Sequence, residues 1–146
     1  MKNFLRLCVL VVALLHLGPG QVNAQKAPEW LAIGPNDKLN ELMAAGRYAE
    51  AIPVAKAQLA DAESRLGKDH PDLIPYLQTL GAVCFARQDY DEAEPVYKRG
   101  LTIALRSFPR TDQRVASFAG VLFAIYTIDK RPAEAAEMMK IARPGQ

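Results

Sequence analysis

Two cysteines, two histidines and one tryptophan in 146 residues leave few side chains for metal, redox or nucleophilic chemistry. Position reduces the number further. Lys2 and Arg6 open the chain with positive charge, Leu7 to Leu17 is an almost unbroken apolar run, Gly18-Pro19-Gly20 ends it, and Val22-Asn23-Ala24 presents a signal-peptidase site. The run falls well short of the ~20 residues that span a bilayer, so cleavage after Ala24 is expected rather than an uncleaved anchor. Cys8 then leaves with the signal, and Cys84 alone cannot form a disulfide within the mature chain. Cys84 falls on the apolar face of a helical pattern, where free cysteine acts as a small hydrophobe; burial is its expected role, with a catalytic thiol as the alternative. His70, the histidine that remains, stands in a turn with Asp69 and Asp72. A general base needs a nucleophile in reach and a metal ligand needs companions. The sequence offers neither, and the polar "DHPD" around Pro71 leaves a capping or turn role as the expectation.

Charge of one sign is also scarce. Lysine and arginine outnumber the acids by 18 to 16, and removing Lys2 and Arg6 takes the net charge from +2 to zero. Nucleic acid and anionic membranes are recognised first through excess positive charge, so no nucleic acid partner is expected, nor membrane insertion after signal cleavage. No glycine-rich phosphate loop, serine elbow or zinc spacing occurs. The expectation is a protein exported to the periplasm or secreted, with no catalytic, cofactor-binding or metal residue and no cofactor.

What is present is a repeat. Arg47-Tyr48-Ala49-Glu50-Ala51 aligns with Asp89-Tyr90-Asp91-Glu92-Ala93 forty-two residues later, carrying Pro53 onto Pro95, Val54 onto Val96, Lys56 onto Lys98 and Leu59 onto Leu101. A second step of 42 places Glu134-Ala135 on Glu92-Ala93, Met138-Met139 on Val96-Tyr97, and Leu122 on Leu80. Self-similarity at a fixed period in this range marks an array of units that bury a face against their neighbours. Each unit reads as two helices. Leu73, Leu77, Leu80, Val83 and Cys84 recur at helical spacing, "DHPD" supplies a start signal before Pro71, and "QDY" reverses the chain into a second helix from about Asp91 to Ser107. The third unit begins at the caps Thr111-Asp112. Gly81 and Ala93, with Ala51 and Ala135 at the place of Ala93, keep bulk out where helix axes approach to about 8–10 Å. Pro75 is expected in the second turn of its helix, bending the start, and Gly34-Pro35 limits the opening helix to about Asp37–Ala45.

The spacing Leu77, Leu80-Gly81, Cys84, Tyr90, Ala93, Tyr97 resembles the tetratricopeptide repeat, and the 42-residue period with "DHPD" and "YDEAEPVYKRGL" is similar to its longer form in kinesin light chains and many bacterial proteins. The resemblance covers about Asp37 to Ala142. It implies an all-α, right-handed solenoid of about three antiparallel helix pairs whose first helices line a concave groove for a protein or peptide. The expected organisation is a signal peptide at 1–24, a cap segment at 25–36 containing Trp30, Leu31 and Ile33, the three-unit domain at 37–142, and a tail at 143–146. The long form commonly has consecutive asparagines on the groove-lining helix; the corresponding places here are Gln78-Thr79 and Gly120-Val121.

Candidate groove residues are Asn36, Asn40, Met43, Gln78, Ala82, Phe85, Ala124 and Thr127, with Phe85 either the aromatic anchor or ordinary core. A second candidate surface is the C-terminal edge. Met138 and Met139 take the register of Val96 and Tyr97 but have no following unit to pack against, so this edge is expected to mediate self-association as a homodimer or to dock a partner, Phe108 and Ile128 contributing; the alternative is that the "RPGQ" tail or the Trp30 segment folds over the methionines and leaves a monomer. Arg99, Arg106, Arg110 and Arg114 form a modest basic stretch, read as a solvated face with an acidic docking site as the alternative. A function from another class stands beside the scaffold: the recognition section or accessory subunit of an enzyme, peptidase-like or signalling, whose catalytic part is separate.

Overall fold

The computed structural model describes residues 37–143. The signal peptide, the 25–36 segment with Trp30 and Asn36, and residues 144–146 lie outside the described residues. Six α-helices follow one another without a strand among these residues: α1 (Asp37–Ala44), α2 (Tyr48–Leu66), α3 (Ile74–Ala86), α4 (Tyr90–Ser107), α5 (Gln113–Ile128) and α6 (Pro132–Ala142). Each packs on the next, giving three helix pairs in the expected register.

The turn inside each pair shows the period in atomic detail. Gly46, Gln88 and Lys130, spaced by 42, all adopt a left-handed backbone with φ of 69°, 66° and 56°. Around them the same bonds recur. Arg47, Asp89 and Arg131 donate their N–H to Leu42, Cys84 and Tyr126 at 2.8, 2.9 and 2.8 Å, while Gly46, Gln88 and Lys130 donate to Met43, Phe85 and Thr127. This two-bond closure satisfies carbonyls that the helix end would otherwise leave bare. Helix starts differ by unit. Asp89 and Asp112 cap α4 and α5 by accepting from the N–H of Glu92 and Arg114, whereas Arg47 and Arg131 precede α2 and α6 and pair with Glu50 and Glu134.

The start of α3 departs from the sequence expectation. Pro71–Leu73 forms a 3₁₀ turn capped by His70, whose Nδ1 accepts from the Asp72 N–H at 3.2 Å. Because the α-helix begins only at Ile74, Pro75 lies in its first turn rather than its second. There no hydrogen bond is due from its nitrogen, so it costs little. Pro53 and Pro95 are the prolines inside helices; both are exposed, as are Ala49 and Asp91 one turn earlier, so water can reach the carbonyls they leave without a donor.

The core runs continuously through the stack. Ala51, Ala93, Phe118, Leu122 and Cys84 have no exposure. Two glycines seat two rings. A Cβ on Gly81 would meet the Tyr97 ring at 2.7 Å, and one on Gly100 would meet the Phe118 ring at 2.2 Å. The two rings then touch edge-on, centroids 6.0 Å apart, so a single aromatic chain links α3, α4 and α5. Gly81 fits the expected close approach; Gly100 is a second such site that the sequence reading passed over.

Candidate functional site

Three rows of side chains follow from the repeat. Asn40, Ala82 and Ala124 occupy one register position on α1, α3 and α5, and Met43, Phe85 and Thr127 another. A third contains Gln78 and Gly120, with Asn36 outside the described residues. Asn40 and Thr127 are exposed and the other named side chains half-buried. Phe85 meets Tyr90 edge-on at 5.4 Å, so it is packed on one side and accessible on the other: part core, part surface. Thr127 donates its hydroxyl to the Phe123 carbonyl at 2.7 Å, which ties that hydrogen to its own helix. At Gly120 a Cβ would meet nothing within 4 Å.

The C-terminal edge divides differently from the sequence expectation. Both methionines are half-buried, but Met138 packs against the hydrophobic core while Met139 lines a cavity of about 360 Å³ between α5 and α6. One residue is about 100° of helix rotation, so the two side chains meet different surroundings. The cavity also takes in Phe123, Thr127, Lys130, Arg131 and Ala136. Thus the last member of one groove row and one edge methionine share a single surface. Phe108 lies instead in the α4–α5 turn under the Arg114 guanidinium, 3.3 Å from its ring centroid, and half-buried Ile128 ends α5.

Burial pushes the Cys84 thiol up to about 11, with Glu92 and Asp89 acting the same way, so it remains a protonated core group. No group of three or more histidines, cysteines and acids is placed to hold a metal among the described residues. Of the arginine stretch, Arg99 is half-buried and bridges Glu63 and the Lys68 carbonyl. Arg114 pairs with Asp112 at 2.7 Å. Arg106 and Arg110 are exposed.

Charged ties between units were not visible in the repeat. Glu94 accepts from Arg131 at 2.7 Å and from the Tyr126 hydroxyl at 3.1 Å, with Lys98 at 3.5 Å. Burial acts to raise its carboxyl, but these three partners outweigh it and hold the group below its ordinary value. Glu92 pairs with Lys56 and Glu63 with Arg99, joining α2 to α4. The arrangement is a stack of paired helices with side-chain rows on one face and polar clasps between units.

Comparison with known families agrees with that geometry. The family model described as tetratricopeptide repeat matches residues 42–106, from the end of α1 to the last turn of α4. No curated protein matches the chain. Residues 42–106 thus carry the tetratricopeptide repeat, and the described residues form an all-α helical stack of the kind that binds other proteins. The α5–α6 pair lies beyond the matched residues, yet its turn at Lys130 repeats the bonds of the first two pairs.

Proposed function

We propose that this protein is an exported, non-catalytic scaffold that binds a protein or peptide segment along the face formed by α1, α3 and α5, the concave side of the solenoid. The observation that supports it is the row geometry: one side chain per unit at two register positions, Asn40/Ala82/Ala124 and Met43/Phe85/Thr127, each partly open to solvent. Helices already ordered by their neighbours lose little entropy when a ligand settles on them. Phe85 would supply an aromatic anchor at the central unit, and the amides of Asn40 and Gln78 would be partners for polar groups of the bound segment. Self-association through the Met139 edge is a separate arrangement that light scattering decides.

A photo-crosslinking residue placed at Gln78 or at Ala60, which is exposed on the outer helix α2, tests the reading in cells. Adducts from Gln78 that are lost with Phe85→Ala, and none from Ala60, are expected. Equal adducts from both positions would contradict a face-specific scaffold. Export is tested separately by intact mass, which should begin at Gln25; a mass retaining Met1 would rule out cleavage.

A further inference from the structure

The second unit shows how this stack receives a following helix. On α4, Glu94 accepts from Tyr126 and Arg131, and Tyr97 meets the Phe118 ring of α5. Forty-two residues on, the same two positions of α6 are Ala136 and Met139, and both line the 360 Å³ cavity beside α5. By register this cavity is the seat of a further first helix. Its polarity is reversed, however. In the internal contact the seat provides the carboxylate and the incoming unit the donors. In the cavity the carboxylate has become Ala136, and the charged lining side chains are Lys130 and Arg131. Arg131 is already held by Glu94 and Glu134; Lys130 is exposed and forms no ion pair among the described residues.

We infer that this seat docks an amphipathic helix of a partner protein, one that sets an apolar or aromatic side chain against Ala136 and Met139 and a carboxylate beside Lys130. The charge is the discriminating feature, since an acid must now arrive with the incoming helix. A second copy fits poorly. Its α1 presents exposed Lys38 and Glu41 at the register positions where α5 buries Leu122 and Ile125, so head-to-tail stacking would bury unpaired charge. Two seats meeting tail to tail would bring cations to both rims. The inference rests on the chain being a protein-binding scaffold; the seat takes in Thr127 at the end of one row but leaves Phe85 outside its lining.

The test uses the full chain and a fluorescent helical peptide of about 16 residues. The peptide carries the buried α5 pattern of Val115, Phe118, Ala119, Leu122 and Ile125 on an alanine–glutamine background, with glutamate at the place of Tyr126; a companion has lysine there. At low salt the glutamate peptide should bind about tenfold or more tightly than the lysine one. Lys130→Glu should reverse that preference, Met139→Glu should abolish binding, and Phe85→Ala should leave it unchanged, separating this seat from the Phe85 anchor. Equal affinity of the two peptides, or binding indifferent to Met139→Glu, would overturn the inference. So would a dimer in light scattering that Met139→Glu dissolves, since the occupant would then be a second copy. If Met139→Glu lowers the melting temperature, the Lys130→Glu reversal at an exposed residue decides alone.

Discussion

Replacing Gly100 by alanine should destabilise the protein, whereas the same replacement at Gly120 should stabilise it. Both glycines lie inside α-helices, so each substitution gains about 1 kcal/mol of helix propensity and lost unfolded-state freedom. Surroundings then separate them. The new methyl at Gly120 meets nothing within 4 Å, while at Gly100 it falls 2.2 Å from Phe118 Cε1 and 2.4 Å from Cζ. Phe118 has no exposed surface and abuts Tyr97, which itself sits against Gly81, so the ring cannot retreat without moving a second ring. Overpacking of this kind typically costs about 1–3 kcal/mol, and the strongly overlapping geometry places it at the upper end. The net expectation is about 1–2 kcal/mol of destabilisation for Gly100→Ala and about 0.5–1 kcal/mol of stabilisation for Gly120→Ala. Urea denaturation followed by circular dichroism resolves the difference, which corresponds to melting shifts of opposite sign and several degrees. If both variants are stabilised alike, the aromatic chain through α3, α4 and α5 does not exist as described.

Glu94→Ala should cost about 1–3 kcal/mol, because it strips partners from Arg131 and Tyr126 in a half-buried clasp, whereas Glu50→Ala, at an exposed pair with Arg47, should cost far less; equal costs in urea titrations would refute the clasp. Ala93→Leu should destabilise by about 1–3 kcal/mol, since Ala93 is fully buried at a close helix crossing, and Lys98→Leu far less; equal melting shifts would contradict the register. Gln88→Gly should stabilise by about 0.5–1 kcal/mol, because glycine relieves the left-handed backbone that Gln88 holds at φ 66°; a loss in melting temperature would argue against the repeated turn. The side chain and backbone N–H of Arg114 hold the Asp112 carboxyl down at about 2 against an ordinary 3.8. Its contribution to stability is therefore complete above about pH 4 and lost as pH falls towards 2. NMR titration should give that midpoint and show it rise in Arg114→Gln, and a midpoint near 3.8 in the unaltered protein would dismiss the pairing.

What could be read from the sequence is what recurs. The helix pairs, the turn at "QDY" and the alanines at 51, 93 and 135 all follow from a period that any three copies reveal. Contacts made once do not announce themselves. Glu94 finds Tyr126 and Arg131 more than thirty residues away, and its counterparts 42 residues to either side are Ile52 and Ala136, so no pattern marks it. Gly100 aligns with Gln58 and Ala142 and is explained only by the Phe118 ring above it. The methionine pair shows a difference that register alone does not carry. Register treats the two alike, yet half-buried Met138 packs against the core while half-buried Met139 lines the cavity. The start of α3 was misplaced because "DHPDLIP" contains two prolines, and the second, not the first, opens the α-helix.

Distances between equivalent positions test the stack most directly. In a Cys84→Ala background, spin labels on Asn40 and Ala82 and, in a second sample, on Ala82 and Ala124 report the spacing of the first two and the last two units along the proposed binding face. If the 42-residue period is a physical repeat, pulsed electron resonance should return two narrow distributions with closely matching means. Broad or clearly unequal distributions would show that the third pair does not continue the stack, and the row geometry on which the scaffold reading stands would fall with it.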